Sequence, residues 1–177
     1  MSSAASSSDE DLPKSEQVVA EFRRALGDPE HRSTQSLVGR LLDLLRSNLT
    51  QWNLEDEARG AGADDAAVAG AKREIDELNA GRHQIVEEID IVIDRSVTQT
   101  ASAPLATESP AMAFDRLSVL VIRIDHTERD AGRRAARLPV LRRQLADLQQ
   151  AIDGLLDDVR DGTRRFVPYE SLKLYGE

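Results

Sequence analysis

Several residue types that define common protein classes are scarce or missing in this 177-residue chain. It contains no cysteine, which excludes disulfide bonds and thiolate metal sites and leaves the redox state of its compartment open. Aromatic residues make up only 3 %, so the hydrophobic core must be built from Leu, Ile, Val and Ala. Acidic residues outnumber basic ones, and the resulting net charge of -9 predicts that the chain does not bind nucleic-acid phosphates.

Long apolar runs are missing as well. No segment approaches the roughly 18 apolar residues of a membrane-spanning helix. The first residues, "MSSAASSSDEDLPK", lack the basic and apolar regions of a secretory signal, so we expect a cytoplasmic protein without a membrane span. Residues 1–13 are serine-rich and acidic and are predicted to be a disordered tail, and residues 14–177 to form one helical domain.

The chain does contain apolar residues at helical spacing, which predict an all-α, mostly antiparallel bundle of about five helices. The first helix is predicted from about Pro13 to Leu26. The second is predicted from Ser33 or Thr34 to Arg59, and the third from Asp64 or Asp65 to about Val97. These two long helices are expected to form an antiparallel hairpin.

The fourth helix is predicted to begin at Pro110 with Ser109 as its N-cap, and the fifth to follow Gly132 and end before Gly162. The fifth carries a coiled-coil-like seam that we expect to pack within the chain, with a homodimer as the alternative. The seam consists of Leu138, Leu141, Leu145, Leu148, Ile152, Leu155 and Val159. The arginines of "GRRAARLPVLRR" are spread around a helix axis by their spacing, which predicts a solvated face rather than a basic patch.

The second and third helices carry polar side chains along faces that otherwise bury apolar residues. Steps of three and four residues place Asn48, Trp52, Glu55, Asp56 and Arg59 on one face, and Lys72, Asp76, Asn79 and Arg82 on or beside the other. Burying charge is costly unless it is paired. We therefore favour a network of ion pairs that fixes the helix register, and we keep a polar pocket for a ligand as the alternative.

Catalytic signatures are missing. No Gly-rich phosphate loop, "HExxH" zinc motif or serine nucleophile elbow occurs, so no catalytic residue, metal site or cofactor is assigned. A divalent cation held by the carboxylates of the polar cluster is kept as an alternative.

Four stretches resemble a known family in the expected order: "NLTQWNLEDEAR", then "AKREIDELNAGR" with "EEID", then "TESPAMAFDRLSVLVIRIDH", and finally "YESLKLY". They look like the uncharacterised bacterial family known as domain of unknown function 4254, over about Leu37 to Tyr175. The resemblance adds Asp115, Arg116 and His126 to the candidate ligand-binding residues. The full candidate set is Asn48, Trp52, Glu55, Asp56, Arg59, Lys72, Asp76, Asn79, Arg82, Asp115, Arg116 and His126. The chain departs from the family pattern at "AGRH" and in its short ending "GE".

The resemblance implies no established activity. Members of the family often lie near glycosyltransferase and surface-polysaccharide genes, which implies an accessory role in glycan assembly. We therefore expect a non-catalytic protein that binds a protein partner or forms a homodimer. The alternative is an enzyme or small-ligand binder that acts on a phosphorylated or nucleotide-linked sugar at the Glu, Asp, Arg and Asn cluster.

Overall fold

The computed structural model describes residues 12–58, 65–130, 132 and 134–170, with the backbone alone for residues 58, 65–69, 71 and 72. These residues form five α-helices and a short 3₁₀ helix, Ala135–Arg137, directly before the last of them. The α-helices are α1 (Ser15–Gly27), α2 (Ser36–Ala58), α3 (Asp65–Ser96), α4 (Pro110–Arg129) and α5 (Leu138–Arg160). The predicted all-α class is confirmed, and the helix ends lie close to the predicted ones. Within the described residues, no helix is long and apolar enough to cross a bilayer.

The central element is α4, which packs against each of the other four α-helices. A helix that is apolar on several sides is stable only when it is surrounded by other elements. In α4 the residues Phe114, Leu117, Val121, Ile122 and Ile124 are each at most 2 % exposed. The surrounding helices contribute the rest of the core, including Val18, Phe22, Leu41, Leu42, Leu45, Ile89 and Ile93.

The seam of α5 packs inside the chain, as predicted. Leu141, Leu145, Ile152 and Val159 are buried, and α5 contacts both α4 and α1. The homodimer stays a prediction. At the other end of the chain, Leu12 and Pro13 are buried although they fall in the predicted tail, and residues 1–11 lie outside the described residues.

The connection between α3 and α4 is paired with the segment that follows α5. Leu105 and Arg165 form an isolated parallel β-bridge, in which Ala106 N–H donates to Arg165 O at 2.7 Å and Arg165 N–H donates to Pro104 O at 3.0 Å. The side chain of Gln99 accepts a further hydrogen bond from Phe166 N–H at 2.7 Å. Both segments are therefore ordered by each other rather than by a regular sheet.

A buried carboxylate on α3 fixes where α4 begins. Asp90 is fully buried, and it accepts hydrogen bonds from Ala111 N–H and Tyr169 N–H, each at 2.9 Å. Burial raises the pKa of Asp90, while hydrogen bonds from Ser109, Tyr169 and Ala111 act in the opposite direction. Asp90 thus joins α3, the first turn of α4 and the segment after α5.

Gly162 should tolerate no side chain. Its φ is +70°, and a Cβ atom there would lie 2.8 Å from Thr100 Oγ1. We expect Gly162→Ala to lower the free energy of unfolding by at least about 1 kcal/mol. The matched control is Gly154→Ala in α5, where an added Cβ meets nothing within 4 Å, and which should stabilise by roughly 0.5–1 kcal/mol. Urea denaturation measures the free energy of unfolding of both variants. Equal changes in Gly162→Ala and Gly154→Ala would contradict the special backbone conformation of Gly162.

Asp90→Asn should destabilise the fold by about 1–3 kcal/mol, because an amide has one acceptor oxygen where two backbone N–H groups each need one.

The destabilisation by Asp90→Asn should depend on pH. Burial puts the folded-state pKa of Asp90 above its unfolded value, so the native state binds more protons between the two values and loses stability as pH rises through them. The free energy of unfolding of the parent should therefore exceed that of Asp90→Asn by a larger amount at about pH 4 than at about pH 7. A difference that grows with pH would contradict this assignment.

Candidate functional site

A cleft of about 450 Å³ lies between the second half of α4 and the start of α5, and we call it the Trp52 cavity. Trp52 reaches it from α2 and stacks on His126 of α4, with ring centroids 5.3 Å apart and planes 29° apart. The sequence predicted both residues as candidates but did not predict that they meet. The remaining wall consists of Arg123, Thr127, Arg134, Ala136, Arg137, Val140, Leu141 and Gln144.

The wall of the Trp52 cavity is strongly basic. Its described residues include three arginines and no Asp or Glu, in a chain whose net charge is -9. Arg134 forms an ion pair with Asp130, with Nε 3.5 Å from Oδ2. Arg123 and Arg137 form no ion pair with any residue that the structure describes. Guanidinium groups recognise carboxylates and phosphates through paired N–H donors. The cavity therefore suits an anion.

Arg134 and Arg137 are exposed, as predicted for this segment, but they are not dispersed around an α-helix axis. Arg134 and Arg137 belong to the short 3₁₀ helix and its N-cap rather than to an α-helix. Residues three positions apart eclipse one another in a 3₁₀ helix, so the two side chains share one side. They line the Trp52 cavity together, and a basic patch forms where α-helical spacing would have dispersed it.

A second cleft, of about 600 Å³, lies beside the first, and we call it the Asp115 cavity. The two cavities share Arg123 and Gln144 in their walls. Its polar wall residues are Asp115, Arg116, Arg123, Gln144 and Asp147, and its apolar ones are Val119, Leu120, Leu148 and Ala151. We call the two adjacent cavities along α4 and α5 the groove, and their walls differ in charge.

Asp115 is held in place by side chains from two other helices. Its Oδ1 atom accepts a hydrogen bond from Asn48 Nδ2 at 2.7 Å, and its Oδ2 atom accepts one from Arg82 Nη1 at 2.5 Å. Asn48 Nδ2 also donates to Ser118 Oγ at 2.7 Å. The side chains of Arg82 and Asp115 are only 22 % and 16 % exposed, so this ion pair is partly shielded from water. The network ties α2, α3 and α4 together at the groove.

The other predicted candidates lie in several environments. Asn79 accepts a hydrogen bond from Arg82 at 3.3 Å, and Glu55 accepts one from Gln51 at 3.2 Å. Asp56 and Asp76 are exposed, and Arg116 pairs with Glu108 at 2.5 Å. Arg59 and the side chain of Lys72 lie outside the described residues. The carboxylate partner of Arg82 is thus Asp115, which the sequence analysis had not placed in the cluster of α2 and α3.

Two buried donors are without an acceptor among the described residues. These are Trp52 Nε1 and Arg82 Nε. Leaving a buried donor unpaired costs about 1–3 kcal/mol, so such atoms need an explanation. Trp52 lines one cavity and Arg82 holds the Asp115 of the other, which places both imperfectly paired groups at the groove.

The sequence analysis missed Arg123, Arg137 and Gln144. For Arg123 a signal was present, because Asp115, Val119 and Arg123 follow one another at steps of four residues along one face of α4. For Gln144 no local signal exists, since its role depends on how α5 docks. In the described residues, no group of three His, Asp or Glu side chains is placed to hold a metal ion.

The family model described as "Protein of unknown function (DUF4254)" matches residues 40–167. The chain belongs to this family. The predicted resemblance is confirmed, and the matched region contains the Asp115 network and both cavities. No curated protein and no solved structure matches the chain. The DUF4254 description assigns no activity, so the function must be argued from the groove.

For this DUF4254 protein, we expect Arg82→Met and Asp115→Asn each to lower the free energy of unfolding by about 1–3 kcal/mol, because each leaves a shielded partner unpaired. The double variant should lose less than the sum, as a double-mutant cycle in urea denaturation would show. The matched control is Asp76→Asn, on the exposed side of the same helix, which should change stability by less than about 0.5 kcal/mol. Additive effects of Arg82→Met and Asp115→Asn would show that the pair is not coupled.

Proposed function

We propose that the protein binds a small anionic ligand in the groove along α4 and α5. The observation that carries this proposal is the composition of the Trp52 cavity, where a stacked aromatic pair lies beside three arginines and no carboxylate is found among the described wall residues. Two of those arginines have no ion pair among the described residues. Arginines left unpaired at a concave, partly apolar surface are typical of a ligand site.

The cavity supplies a different contact to each part of such a ligand. Arg123 and Arg137 can each donate two hydrogen bonds to a phosphoryl group. The Trp52 and His126 rings offer a surface against which a planar ring can stack. Val140 and Leu141 add apolar wall, and the volume of about 450 Å³ lies within the range of small-molecule sites, about 300–1,000 Å³.

The adjacent Asp115 cavity suits hydroxyl groups. Asp115 and Asp147 are acceptors, and Gln144 both donates and accepts. Arg123 and Gln144 stand where the two cavities meet, so a phosphoryl group at Arg123 would leave room on both sides. A nucleotide-linked sugar has this order of parts, with a hydroxyl-rich ring on one side of the phosphates and a base on the other, and a phosphorylated sugar has the first two of these parts.

The Asn48 and Arg82 side chains would position Asp115 for that ligand. Because both carboxylate oxygens already accept a hydrogen bond from the protein, the carboxylate cannot rotate freely. A sugar hydroxyl would then meet an acceptor in a fixed place, which lowers the entropic cost of binding. The proposed ligand agrees with the accessory role in glycan assembly that the family resemblance implies.

A thermal-shift measurement tests the proposal with uridine diphosphate glucose, adenosine diphosphate glucose and inorganic pyrophosphate as probes. A ligand that binds only the native state stabilises it by about 2.7 kcal/mol at one hundred times its Kd, which is a rise in Tm of roughly 5–11 °C for a chain of this size. We expect at least one sugar nucleotide to give such a rise. The double variant Arg123→Ala, Arg137→Ala should abolish it.

The matched control is Arg143→Ala, an exposed arginine of α5 outside both cavity walls, which should leave the ligand-induced rise unchanged. Trp52→Leu should reduce the rise with the sugar nucleotides and leave any rise with pyrophosphate, because only the former carry a base. If no probe raises Tm, or if the rise survives loss of Arg123 and Arg137, the groove is not an anion site.

A further inference from the structure

A second surface, distant from the Trp52 cavity, carries an exposed apolar cluster. Four large hydrophobic side chains are exposed among the described residues, and three of them, Leu105 (49 %), Met112 (39 %) and Val167 (57 %), line one cleft of about 450 Å³. We call this cleft the edge groove. Its wall also includes Glu108, Pro168, Tyr169 and Glu170. Exposed apolar side chains that gather in one place mark interaction surfaces, whereas single ones do not.

The edge groove also presents unpaired backbone groups. Leu105 pairs with Arg165 in a parallel bridge through the backbone groups of its neighbours, Pro104 and Ala106. In this pattern the N–H and C=O of Leu105 itself point away from Arg165. They have no hydrogen-bond partner among the described residues. An open donor and acceptor beside exposed apolar side chains is a template for another extended chain.

The charge of the edge groove indicates the kind of chain that fits. Among the described residues, its wall contains Glu108 and Glu170 and neither Lys nor Arg. Glu108 pairs with Arg116, whereas Glu170 is exposed and has no ion pair with a described residue. The net charge of the protein is -9, so a basic partner is attracted over a longer range as well.

We propose that the edge groove binds an extended peptide segment of a partner protein. The segment adds as a β-strand beside Leu105, with its backbone bonded to the free N–H and C=O of that residue. One apolar side chain enters between Leu105, Met112 and Val167, and a neighbouring Lys or Arg pairs with Glu170. The peptide and the proposed ligand use different surfaces, since the edge groove lies at the first turn of α4 and the Trp52 cavity at its second half. The edge groove and the Asp115 cavity are linked by the ion pair of Glu108 with Arg116.

Selection from a displayed library of random twelve-residue peptides on the full chain tests the proposal. Enriched peptides should share an apolar residue next to Lys or Arg. Fluorescence anisotropy on the best synthetic peptide should show at least tenfold weaker binding to Val167→Asp and severalfold weaker binding to Glu170→Lys. Val140→Asp is the matched control, since Val140 is 46 % exposed but lies in the Trp52 cavity, and it should leave peptide binding unchanged.

Backbone pairing has its own readout. Methylating the backbone nitrogens of the peptide at alternate positions removes hydrogen-bond donors without changing side chains, and in one of the two registers it should weaken binding at least tenfold. The proposal is overturned if no peptide is enriched, or if Val167→Asp and Val140→Asp behave alike. For the methylated peptides, the overturning result is that neither of the two registers weakens binding. The proposal is also overturned if sedimentation shows a dimer that Val167→Asp dissociates, because the occupant is then a second copy of this chain.

Discussion

The buried carboxylate of Asp90 is the constraint on which much of the structure depends. Its two oxygens bond backbone N–H groups of Ala111 and Tyr169, which lie far apart in sequence. The first turn of a helix has free N–H groups and a partial positive charge, so a carboxylate there satisfies both. Because the start of α4 is fixed, every side chain of that helix has a fixed position along the axis of the bundle.

The central helix then serves the core and the groove at the same time. One side carries Phe114 and Leu117 into the core, and another presents Asp115, Arg123 and His126 to the groove. Because α4 is packed on several sides, the groove residues of α4 lie on a rigid support rather than on a loop. Rigid placement of polar groups is what a small-ligand site requires.

Much of the secondary structure could be predicted from sequence, because its causes are local. Ser109 before Pro110 indicated the start of α4, and Ser109 does accept a hydrogen bond from Met112 N–H. Candidate residues could also be identified, since polar side chains such as Asn48 and Arg82 interrupt apolar helical faces. Their partners could not, because helical periodicity orders residues within one helix and says nothing about which helix lies opposite. Arg82 pairs with Asp115 of α4, whereas the predicted hairpin had placed Arg82 beside the carboxylates of α2 and α3.

By itself the sequence determined the helical class, the helix bounds and the membership of the family, since spacing, capping residues and motif order are written along the chain. Only the tertiary structure decided that Trp52 stacks on His126, and that Arg134 and Arg137 share a cavity with Arg123. The physical reason is that the first contact depends on the docking of α2 against α4, and the second on the docking of α5 and its 3₁₀ helix against α4. Docking depends on the packing of the whole core, which no single segment encodes.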